Sequence, residues 1–150
     1  MATHKNFGSA FKAMYRKLQT VQSSLPTVLA NEGTRFFVGS FDKEGWDGKS
    51  WKVPQRKIAG TPAFKYPKMK DLGRRTRQTL VKSGKLRREV NNSVRQKTFK
   101  RIVWNVNLPY AARHNEGLDG MPQRRFMGES KTLNAIFKRK ILQAYNRGLN

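Results

Sequence analysis

Cysteine is absent, so the chain has no disulfide framework, no thiolate ligand for zinc and no thiol nucleophile. That fits folding in a reducing compartment. Only two histidines occur, His4 near the start and His114, which leaves little material for general-base chemistry or an imidazole metal site. Acidic residues are also scarce, nine against 32 Lys and Arg, giving a formal charge of +23. No apolar window reaches the roughly 20 residues that a membrane span requires, and the amphipathic N-terminus lacks the apolar run of a signal peptide. The chain is expected to be soluble or part of a soluble assembly.

What is present is positive charge on 150 residues, a common length for one domain with its own core. Such a charge speaks about partners rather than fold. The basic residues concentrate between Lys65 and Arg101, where only Asp71 and Glu89 oppose them. Arg74, Arg75, Arg77, Lys82, Lys85, Arg87 and Arg88 are the candidate contacts to DNA or to an acidic partner. Attraction to phosphates needs charge density and no sequence motif.

Periodicity places elements along the chain. Phe7, Phe11, Met14, Leu18, Val21, Leu25 and Val28 recur at spacings of four and three, the signature of one apolar helix face. Pro26 falls within it, predicting a break with Ser23 or Ser24 capping a second helix that carries Val28, Leu29, Glu32, Phe36 and Phe37. Helices are thus expected over about 5–41, followed by an ordered loop over about 42–67 with packed tryptophans. The segment DLGRRTRQTLV predicts a basic helix ending near Ser83-Gly84. Alternation at Val90, Asn92 and Val94, and again at Ile102, Trp104 and Val106, predicts two antiparallel strands joined near 97–100. MPQRRFM supplies a further short strand, closing a basic helix and sheet region of about 68–128. Ser130 then caps a helix over about 130–147, with Leu133, Ile136, Phe137, Ile141, Ala144 and Tyr145 inward and Gly148 at its end. The fold class expected is α+β: long N-terminal helices and a C-terminal helix on a small antiparallel sheet.

Two local patterns fail as sites. DGKS resembles the end of a phosphate-binding loop, but the first glycine of that motif would fall at Lys43 and no strand leads in. Asp42, Glu44 and Asp47 approach calcium-loop spacing, yet Trp46 stands where the third oxygen ligand belongs, so they read as a solvated acidic turn. The remaining candidate is PYAARHNEG, residues 109–117, with His114 beside Glu116. It lacks a nucleophile and does not match a zinc helix, and a lone histidine next to a turn glycine reads as a structural corner bonded to nearby backbone. No catalytic residue, metal site or cofactor is expected.

Four motifs in order carry a resemblance across nearly the whole chain: Asp47-Gly48 with Trp51; Ser83-Gly84-Lys85-Leu86; Tyr110-Ala111 with His114 and Gly117; and Pro122 with Arg124, Phe126 and Gly128. Together with the terminal amphipathic helix they resemble the bacteriophage virion morphogenesis family, the Mu G-like tail completion proteins, and related tailed-phage neck proteins. Arg113 and Arg125 depart from the family pattern, where an apolar residue and a second proline are usual, and both add charge near the corner. The resemblance implies a non-enzymatic structural protein at the head-tail junction. It also implies a ring of six or twelve copies that completes the tail or joins it to the neck, next to connector, portal or tail proteins and the genomic DNA. Tyr110, His114, Gly117, Pro122 and Phe126 would then form a structural corner between helix and strand, Tyr110 and Phe126 in the core. A small basic cellular nucleic-acid-binding protein, ribosomal or architectural, is the alternative; it predicts tight, salt-sensitive binding by the isolated monomer and bases stacked on Trp46, Trp51 or Trp104.

Overall fold

The computed structural model describes residues 4–66 and 72–149. Helix α1, His4–Asp42, is continuous and contains Pro26, so the expected break does not occur. Proline removes one amide and leaves the carbonyl of residue 22 without its helical donor. Ser23 and Ser24 do not cap a new helix; their hydroxyls donate back to the carbonyl of Thr20, both at 2.9 Å, as intrahelical bonds. Burial on both sides of the proline holds the helix together, since Leu25, Pro26 and Ala30 are all buried.

A hairpin follows where a loop was expected. Strands β1, Gly45–Trp46, and β2, Lys49–Ser50, pair antiparallel across Asp47-Gly48. Both turn residues have positive φ, 49° and 83°, the geometry that matches strand twist in a two-residue hairpin. The DGKS pattern is therefore a β-turn. A single helical turn, α2, Pro62–Lys65, is capped by Thr61, whose hydroxyl accepts the Phe64 amide at 3.3 Å.

No long helix forms within the described part of the basic segment; Asp71 lies outside the described residues. Only a 3-10 turn spans Leu72–Arg74. Across this stretch the Arg56 guanidinium donates to the carbonyls of Arg74, Arg77 and Gln78. Leu80 then takes positive φ, 64°. The helix lies later instead, as α3, Lys85–Asn91, beginning after Gly84 rather than ending there. Leu86 and Val90, four apart, supply its buried face, so Val90 belongs to a helix and only β3, Val94–Lys97, is strand.

Strand β4, Ile102–Trp104, pairs antiparallel with β3, with an irregularity between Val94 and Gln96, and Thr98 and Arg101 close the turn as expected. Helix α4, Ala111–Glu116, is followed by the extended, unpaired segment 121–127, not a strand. Helix α5, Lys131–Leu149, starts at Ser130, whose hydroxyl accepts the Leu133 amide at 3.1 Å as the sequence predicts. It runs back along α1: Lys140 pairs with Glu32 at 2.9 Å, and Gly148 meets Val21. Gly148 is thus inside the helix, where its missing side chain admits α1, and it is not a cap.

The architecture is α+β, with a long N-terminal helix, a C-terminal helix and two small antiparallel ladders. The core gathers Phe37, Phe41, Trp51, Leu86, Val90, Ala111, Phe126 and Leu133. Beyond the end of α5 the apolar stripe of α1 is uncovered, Phe11 and Met14 being exposed; alongside α5, Val21 and Leu25 are buried while Val28 stays exposed. The side chain of Phe7 lies outside the description.

Candidate binding cleft

The motif residues converge on one corner. Asp47, in the β1–β2 turn, accepts the Ser130 hydroxyl at 2.9 Å and the amides of Lys131 and Thr132 at 3.1 and 3.2 Å, capping α5 from a distant part of the chain. Donors from Thr132 first, then Ser130, hold its carboxyl down at about 2 against partial opposition from burial. Trp51 donates its indole N–H to the Arg125 carbonyl at 2.8 Å. The Asn115 side chain accepts the amides of Phe126 and Met127 and donates to the Met127 carbonyl, bridging α4 to the extended segment. The His114 carbonyl accepts the Arg124 amide at 2.7 Å.

Gly117 ends α4 with φ 74°, and a Cβ there would stand 2.9 Å from the Gln123 backbone nitrogen. Only glycine meets both the backbone angle and the close approach. Phe126 lies in the core as expected, 2 % exposed, but Tyr110 does not: it precedes α4 and is 39 % exposed. The imidazole of His114 also differs from expectation. Its Nδ1 is buried and has no hydrogen-bond partner, so the local backbone bond is made by the main chain and not by the ring. Burial first, then the Arg124 charge, pushes its pKa below the ordinary histidine value.

The acidic turn is not solvated as a unit. Glu44 accepts from Lys57 Nζ at 2.7 Å and from the Thr79 amide and hydroxyl, each at 2.8 Å. Burial works to raise its pKa, but Lys57 and Thr79 outweigh it and leave the carboxyl below its usual value. Asp42 pairs with Arg87 at 2.8 Å.

The seven basic candidates separate. Arg74, Arg77, Lys82 and Lys85 line a half-open cleft of about 620 Å³. Arg75 is turned elsewhere, donating to the Phe64 carbonyl at 2.7 Å with its guanidinium over the Phe64 ring. Arg87 is engaged by Asp42, and Arg88 donates to the Ser83 carbonyl at 3.0 Å. Arg56 and Arg124 join the cleft although sequence reading did not place them there as cations. Both guanidiniums are fixed through backbone carbonyls, Arg124 through that of Lys52 at 3.2 Å. Tyr110 and His114 complete the lining, so the structural corner and the basic segment share one surface. Pro122 flanks the corner, half-buried.

The three tryptophans are packed. Trp51 is buried against Phe41, Trp46 stacks on Phe37, and Trp104 lies parallel to Phe137. Among the described residues no helix is long and apolar enough to cross a membrane. The chain matches no protein-family model, no curated protein and no solved structure.

Proposed function

We propose that this chain is a structural subunit of a tailed-phage particle, located at the head-tail junction. There it forms a ring that completes the tail or connects it to the neck, with its basic surface toward DNA or acidic neighbouring proteins. The observation that carries this reading is the use made of the motif residues. Asp47, Trp51, Gly117 and Phe126 fix backbone and core, the use expected of motif residues in a structural protein. The excess of +23 per copy favours a setting among polyanions, because a closed ring of like-charged copies is otherwise self-repelling.

The cellular nucleic-acid reading is less well supported, since its stacking platforms, Trp46, Trp51 and Trp104, are engaged in aromatic packing. The test is genetic and compositional. In a phage-producing culture the chain is expected among the proteins of purified particles, and its deletion is expected to leave heads and tails unjoined. Its absence from particles, or an unchanged yield of infectious particles after deletion, overturns the reading.

A further inference from the structure

The cleft beside α4 has two kinds of surface. Pro54, Leu80, Val81, Leu86 and the Tyr110 ring give it an apolar floor, and six cationic side chains border that floor, with no carboxylate lining it among the described residues. The cations crowd one another: burial, then the charges of Arg77 and Arg74, hold the Arg56 pKa below its ordinary value, with Glu44 opposing in part. Glu44, near the cleft through Thr79, is engaged by Lys57 and Thr79. Arg56 and Arg124 are already positioned by the carbonyls they bind, so a ligand need not order these two.

We propose that this cleft binds a short acidic peptide segment of a partner protein, with carboxylates on the arginine and lysine border and one apolar side chain on the Leu80–Val81 floor. The volume, about 620 Å³, is in the range of sites for small ligands and short peptide anchors. Arginine recognises carboxylates bidentately, and the floor adds an apolar requirement that polyanions lacking such a side chain do not meet. A nucleic acid fits less well. Duplex phosphates lie on a broad convex surface, and a single strand wants aromatic faces in series, whereas the rings of Tyr110 and His114 in the cleft meet edge-on at 6.2 Å. The inference narrows the proposed role of the basic surface to one partner chemistry, and it holds at the cleft whether or not the chain resides in a particle.

The test uses the full chain and a fluorescein-labelled hexapeptide carrying four carboxylates around a central leucine-phenylalanine pair, read by anisotropy near physiological salt. The double variant Lys82→Glu/Lys85→Glu alters two exposed border residues; Arg95→Glu/Lys97→Glu makes the same charge change on exposed β3, away from the cleft. Thermal melts check that both variants fold. The cleft variant is expected to weaken binding by about tenfold or more, and the β3 variant by less than about twofold. A polyglutamate hexamer is expected to bind the parent chain at least about fivefold more weakly than the peptide. Equal losses in the two variants, equal affinity of polyglutamate, or no saturable binding overturns the proposal. Displacement of the peptide by an equal concentration of thymidine hexanucleotide also overturns it, yet leaves a DNA-facing role in the particle standing. Absence of the chain from particles removes that role without touching the cleft.

Discussion

Gly33 of α1 lies directly beneath the Trp104 ring: a Cβ on Gly33 would sit 2.5 Å from the indole Cζ2. The missing side chain lets β4 press its tryptophan onto the helix, where Trp104 also donates to the Thr34 hydroxyl at 3.1 Å. Gly33→Ala gains helix propensity but overpacks this contact, and a net loss of about 1–3 kcal/mol is expected. Gly39, in the same helix, has nothing within 4 Å of its would-be Cβ. Gly39→Ala is therefore expected to stabilise by up to about 1 kcal/mol. Urea denaturation of the two variants reads both signs, and equal shifts contradict the contact.

Asp47 gives the fold an acid-sensitive joint. Its carboxyl titrates near 3.8 when unfolded and is held at about 2 in the folded chain, so the folded state favours the ionised form. The corresponding stability is fully present above about pH 4 and is lost as the pH falls through about 2. Asp47→Asn is expected to lower the melting temperature at pH 7 and to flatten the decline between pH 4 and 2, measured by melts across that range.

Glu44 joins the end of α1 to Lys57 and to Thr79, which is only 2 % exposed. Glu44→Ala leaves the Thr79 amide and hydroxyl without their acceptor and is expected to cost about 1–3 kcal/mol. Adding Thr79→Val to Glu44→Ala removes the orphaned hydroxyl and should recover part of the loss, a coupling that a double-mutant cycle in urea measures.

His114 titrates with the opposite sign to a histidine that gains a partner. Its folded pKa lies below the ordinary 6.5, so the unfolded chain binds the proton more readily. Stability is expected to fall as the pH drops below about 6.5 and to level off once the folded pKa is passed. His114→Gln should remove this slope while leaving the acid loss attributed to Asp47. Proton NMR titration of the His114 ring checks the direction, and a pKa above 6.5 contradicts it.

The helices at the two ends were legible because their apolar residues repeat at helical spacing over many turns, and Ser130 caps where a serine should. The middle of the chain was not. Where a basic helix was expected, Arg56 binds three carbonyls about twenty residues away, a tertiary contact without a local signal. Val90 alternates with Val94 as a strand would, and only its pairing with Leu86 across one helical turn reveals the helix. At the cleft the basic candidates divide, Arg74, Arg77, Lys82 and Lys85 lining it and Arg75 lying on Phe64, a division that charge density along the sequence cannot give. Asp47 and Trp51 were noticed as a motif, while their bonds to residues 125 and 130–132 required the folded chain.

The acceptor for the first amides of α5 lies 84 positions upstream, measured from Lys131. The first turn of α5 is thus tied to a hairpin made from the opening third of the chain, and its two leading amides keep that acceptor only while the two regions stay together.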